Sequence, residues 1–214
     1  MPQRNIQNMK HQLVFATQND HKISEIQKLM PDWVELKSLN DIGYTKEIPE
    51  TGTNLEQNAL QKAYHVFSKL GVDCFADDTG LEVEALGGAP GVYSARYAGE
   101  NASYDDNVNL LLKNLEGKEN RKASFRTVIY LIFFGKKWLF EGVVNGTILS
   151  EKRGSSGFGY DPIFLLDGYD KTFAEMSLEE KNSLSHRSLA IRKMLNYLES
   201  LQSGTSLAGE GEYS

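Results

Sequence analysis

The 214-residue sequence has a single cysteine, Cys74. No intramolecular disulfide can form, and no cysteine cluster can hold structural zinc. Positive charge is also short: 23 Lys and Arg stand against 29 Asp and Glu, a formal net charge of −6. A general duplex-DNA binder needs a broad basic face, so nucleic acid is not an expected partner. A phosphate-bearing small ligand is not excluded, because a few local cations and a metal ion can reverse the local field. No apolar run approaches the roughly 18 residues that span a bilayer, and no membrane contact is expected. The longest run, residues 128–134, suits a buried strand. No solenoid-type repeat is present. The opening MPQRNIQNMKHQ is polar and has no apolar signal core, so the expected location is cytoplasmic.

The content is that of a soluble globular protein, 40% hydrophobic and 24% charged. Residues 1–12 read as an N-terminal extension. Residues 13–201 read as one two-lobed domain, and residues 202–214, rich in Gly, Ser and Glu, as a flexible tail. Strands are expected at 13–16, 34–39, 72–76, 81–86 and 163–166. A hairpin of two long strands, 123–134 and 138–149, is expected about Gly135-Lys136-Lys137. Ile23, Ile26 and Met30 mark a helix face that ends at Pro31. Thr53-x-x-Glu56 and Ser177-x-x-Glu180 are capping-box patterns, each opening a helix. A further helix is expected over 105–115, and a terminal one carries Leu184, Ser188, Ile191, Leu195 and Leu198. The mixture predicts an α/β fold whose long central sheet is mixed rather than wholly parallel.

Five segments could carry chemistry. The turn Thr17-Gln18-Asn19-Asp20-His21-Lys22 leads from a strand into a helix N-terminus, where free amides and a lysine suit phosphate. Its plainer role is an N-cap. It lacks the glycines and the hydroxyl of a P-loop. Asp77-Asp78-Thr79-Gly80 ends an apolar run. Two buried acids need a cation, and Mg²⁺ takes one or two protein carboxylates beside water and phosphate. In an extended chain the two acids point to opposite faces, so only one faces a metal. The alternative is an Asx-turn that closes the strand. Glu50, in the 43–52 loop, is either a second metal carboxylate or a solvated charge. Phe158-Gly159-Tyr160-Asp161 joins aromatics to flexible glycines, suited to stacking on a nucleobase or to a core-facing bulge. Lys181, His186 and Arg187 place donors near a helix N-terminus, against the helix dipole.

In their order these segments resemble the inosine triphosphate pyrophosphatase family, the RdgB-like non-canonical purine NTP pyrophosphatases. The likeness runs from about Leu13 to Leu201. It is most specific in FADDTGLEVEALGGAPGVYSARYAGE, from Phe75 to Glu100. LVFATQNDHKISEI, ETGTNLEQNALQKA, SSGFGYDPIF and EKNSLSHRSLA support it. The resemblance implies a two-lobed α/β fold with the active-site cleft between the lobes, and a homodimer. It implies Mg²⁺-dependent hydrolysis of ITP, dITP or XTP to the monophosphate and pyrophosphate. By the same likeness, residues 17–22 hold the phosphates. Asp78 is the catalytic carboxylate, as general base or as metal ligand, with Thr79 beside it on the substrate. Glu50 helps to hold Mg²⁺, residues 158–161 enclose the base, and Lys181, His186 and Arg187 contact the base and its neighbourhood. Two positions depart from the family pattern: Gln18 stands where glycine is usual, and Gln57 where an acid is common. The rival readings are a Maf-like nucleotide pyrophosphatase of different base preference and a nucleotide-binding module without catalysis.

Overall fold

The structure is a computed structural model that describes residues 10–203. Residues 1–9 of the expected extension and 204–214 of the expected tail lie outside the described residues. The apolar runs become β1 (His11–Phe15), β2 (Val34–Ser38), β3 (Cys74–Val83), β4 (Pro90–Gly91), β5 (Lys122–Phe133), β6 (Lys136–Ile148) and β7 (Phe164–Leu166). They form one sheet in the order β2-β1-β3-β5-β6-β7, with β4 beside β3. β1 lies parallel to β2 and β3, and the remaining pairs are antiparallel. The mixed sheet and the long hairpin are as expected. The helices are α1 (Asp20–Gln27), α2 (Leu55–Leu70), α3 (Tyr104–Asn114), α4 (Leu178–Leu184) and α5 (His186–Ser203).

Strand pleating divides the core. On one face Cys74 and Ala76 pack with Ala59, Ala63 and Val66 of α2. On the other, Phe75 packs with Ala190, Ile191 and Met194 of α5. Farther along the same strands, Leu81, Val83, Phe125 and Val144 form a separate cluster with Val108 and Leu111 of α3. The two lobes thus share β3, β5 and β6. One close approach fixes α5 on this frame: a Cβ on Gly142 would lie 2.0 Å from the His186 carbonyl oxygen, so glycine alone lets the helix start touch β6.

Local expectations are corrected at four places. β3 does not stop at Asp77-Asp78-Thr79-Gly80. It runs through them, paired with Ile129, Val128, Thr127 and Arg126 of β5, because both acids find buried cations and need no turn. Of the strand expected at 81–86, residues 84–86 instead form a 3₁₀ turn. The cap of α2 is Asn54 rather than Thr53. Asparagine is among the best N-cap residues. Its side chain accepts from the Gln57 amide, while Gln57 Oε1 receives the Thr53 amide at 2.8 Å. Leu184 ends α4 instead of opening the terminal helix, and the chain is extended at Ser185 before α5 begins. The Ser177 capping box forms as expected.

The path of the chain creates an opening. β1 pairs with β3 only at Cys74 and Phe75, and β4 joins the same edge at Leu81 and Glu82. Residues 77–80 lie between, with no strand beside that edge among the described residues. β1 connects through α1 to β2 on one side, whereas β2 crosses through α2 to β3 on the other. Ligands of open α/β sheets bind where strand order reverses in this way, beyond the carboxyl ends of the parallel strands.

Candidate active site

A cavity of about 540 Å³ occupies that opening. Thr17, Gln18, Asn19 and Lys22 line it from the β1–α1 turn, Glu50 from the loop before α2, and Asp78 and Thr79 from β3. Phe158, Gly159, Tyr160 and Asp161 line it with Lys181, His186 and Arg187. Asp20 and His21 are not part of the lining. The first turn of α1 is capped from within. Asn19 Oδ1 accepts from the His21 and Lys22 amides at 3.0 and 3.3 Å, so these two are not the free phosphate donors expected. Gln18 does not have the positive φ that a glycine would tolerate, and its side chain donates to the Tyr44 carbonyl at 3.2 Å. Gln57 serves the start of α2 and lies off the cavity.

On the α5 face six buried or partly buried charges alternate in sign. Lys22 Nζ lies 2.7 Å from Asp77, whose second oxygen receives Arg187 Nε at 3.0 Å. Arg187 also pairs with Glu25, Glu25 with Lys181, and Lys181 Nζ with Asp161 at 2.6 Å. Burial alone would raise the pKa of Asp77, but Lys22 and Arg187 outweigh it and hold the carboxyl well below its ordinary range. Glu25 is likewise lowered, with burial opposed by Arg187 and Lys181. Burial lowers Lys22 despite Asp77. His186 is driven well below its ordinary value, first by burial and then by Arg187 and Lys181. Its ring stacks on Phe125 at 4.6 Å.

On the α2 face Asp78 belongs to a smaller group. Asn58 donates to one of its oxygens at 3.0 Å, and Lys62 Nζ lies 3.4 Å from the other. The same ammonium lies 2.6 Å from Glu50. Burial raises Asp78 despite Lys62 and Lys22. Glu50 is lowered, because Lys62 outweighs its burial. No cluster of three or more His, Cys, Asp or Glu residues able to hold a metal occurs among the described residues. Two carboxylates facing one cavity nevertheless suit Mg²⁺, which completes its shell with water and phosphate.

The sequence reading did not single out Lys62, Asn58 or Glu25. Lys62 and Asn58 are four residues apart in α2, beside the small apolar stripe, and both are buried. A lysine inside such a stripe was the available signal. Glu25 had none, since its place is set by partners more than 150 residues away.

Comparison with known proteins agrees with this geometry. The Ham1 family matches residues 13–197. The dITP/XTP pyrophosphatase of Flavobacterium johnsoniae is 53% identical over 186 residues, covering 87% of this chain and 97% of that protein. Its namesake from Flavobacterium psychrophilum is also 53% identical over 186 residues, covering 87% and 98%. The solved Staphylococcus aureus Ham1 protein superposes with a TM-score of 0.81 at 39% identity, over 89% of this chain and 99% of that one. By the family match over residues 13–197 and these identities across most of its length, this chain belongs to the Ham1 family.

Proposed function

We propose that the chain hydrolyses non-canonical purine nucleoside triphosphates, ITP, dITP and XTP, to the monophosphate and pyrophosphate, with Mg²⁺ as cofactor. It is a hydrolase acting on triphosphates, as the names of its relatives state of them. The observation that carries the reading is one cavity lined both by carboxylates and lysines, among them Glu50, Asp78, Lys22 and Lys62, and by Phe158, Tyr160, His186 and Arg187.

Glu50 and Asp78 would hold Mg²⁺, whose charge offsets that of the phosphate oxygens. Lys22 and Lys62 add positive charge beside the triphosphate, since phosphoryl transfer needs positioning and neutralisation more than covalent help. Asp78 is placed either to take the proton of the water that attacks the α-phosphorus or to hold the ion. Calorimetric titration of Asp78→Asn with Mg²⁺ separates the roles: lost binding assigns a ligand, retained binding a base. Three of the five N–H groups of Arg187 are committed to Asp77, Glu25 and Thr79. The remaining two can donate to the 6-oxo group of hypoxanthine or xanthine and offer nothing to the 6-amino group of adenine. A donor left unpaired disfavours the wrong base.

The deciding assay offers ITP, dITP, XTP, GTP and ATP with and without Mg²⁺ and measures pyrophosphate against phosphate. Mg²⁺-dependent pyrophosphate release that favours the first three supports the reading. Nucleotide binding without release overturns it in favour of a non-catalytic module. No helix among the described residues is long and apolar enough to cross a membrane. A cytoplasmic homodimer completes the proposal, with light scattering as the test of the dimer.

A further inference from the structure

The Phe158 ring is gripped from two directions. His21, at the start of α1, stacks on it with centroids 5.2 Å apart and planes 19° apart. Tyr104, the first residue of α3, approaches it at 5.8 Å and His21 at 6.3 Å. The three rings come from three elements. The contact crosses the cleft, because α1 packs with one lobe's core and α3 with the other's. The segment bearing Phe158 needs such support, being exposed at residues 154–157 and flanked by Gly157 and Gly159, both at positive φ. A second tie lies nearby, Lys152 Nζ on Asp105 at 2.9 Å, again joining this segment to the first turn of α3. Lys181 Nζ and the Arg187 guanidinium carbon also lie over the ring, 5.1 and 5.5 Å from its centroid. His21 and Tyr104 have no part in the charge network; His21 does not line the cavity, and Tyr104 does so at its rim beside Phe158.

We infer that His21 and Tyr104 are positioning residues, which hold Phe158 in the orientation that receives the nucleobase. The inference rests on the proposed function and deepens it. A ring on a glycine-flanked segment loses conformational freedom when a ligand orders it. A ring already clasped has lost that freedom, so the clasp strengthens binding of any base that stacks there. Stacking is indifferent to the exocyclic groups of the base, so the clasp sets affinity and leaves base preference to the polar groups of the cavity.

Two measurements test this. The first needs no nucleotide: in NMR spectra the ring protons of His21 are shifted upfield by Phe158, and Phe158→Ala returns them toward free-histidine values. An unshifted His21 in the wild-type protein overturns the clasp. The second is kinetic. His21→Ala and Tyr104→Ala each raise KM for ITP, dITP and XTP by one common factor, about three- to tenfold given the strength of an aromatic pair, with kcat unchanged. His21→Phe restores KM, as a stacking role requires. An unchanged KM, a fall confined to kcat, or a factor that differs between bases overturns the inference. A wild-type protein that turns over none of the three would sink the proposed function, while the NMR result would still decide whether the clasp exists.

Discussion

Asp77 and Asp78 are adjacent in β3, and pleating sends them to opposite faces of the sheet. Asp77 is gripped by Lys22 and Arg187 within a continuous row of paired charges, and its acidity is strengthened. Asp78 meets Asn58 and a more distant Lys62, shares that lysine with Glu50, and has its acidity weakened by burial. The first carboxylate is neutralised by the fold itself. The second still has capacity for a ligand, and of the two it alone lines the cavity. Neighbours of the same residue type can thus divide between holding a site together and acting in it, according to how fully their surroundings satisfy them.

The contrast predicts opposite phenotypes. Asp78→Asn should lower kcat roughly 100- to 10,000-fold, the range for a lost proton-transfer group, while the urea midpoint stays near wild type. A nearly active Asp78→Asn enzyme would remove the distinction. Asp77→Asn should instead cost about 3–5 kcal/mol of stability, since it leaves two buried cations short of a partner. Chemical denaturation measures this, and an unchanged midpoint would show that the network contributes nothing. Glu25→Gln removes the charge between Arg187 and Lys181 in the same row and should cost as much, about 3–5 kcal/mol, for the same reason.

Acidification sharpens the comparison further. Asp77 and Glu25 have folded-state pKa values below their unfolded ones. Their contribution is complete above the ordinary carboxylate range, about pH 4, and is lost as pH falls through the lowered values. Stability should therefore fall with pH less steeply in Asp77→Asn than in wild type. The smallest effect concerns Cys74, on the Asp78 face but sealed under α2. Burial pushes its thiol up to about 12, so iodoacetamide near neutral pH should label it only after unfolding.

The mixed sheet, the long hairpin and the terminal helix were legible because apolar periodicity is a local property. So was the separation of the two acids, since it needs only an extended backbone. That the strand continues through them was not legible, because the cations that make this possible come from α1, α2 and α5. The 17–22 turn, Glu50, the 158–161 segment and Lys181, His186 and Arg187 were legible as motifs, and the structure gathers all of them but Asp20 and His21 around one cavity. The clasping partners of Phe158 were not, since a histidine and a tyrosine at two helix starts carry no signal until the fold brings them together.

The unpaired stretch of strand edge between β1 and β4 arises from the route of the backbone, before any side chain is chosen. A hollow made this way cannot be closed by exchanging one lining residue for a bulkier one without rerouting a crossover. The lining is therefore free to vary with the demands of chemistry, while the frame that holds it open goes on being specified by the packed faces on either side.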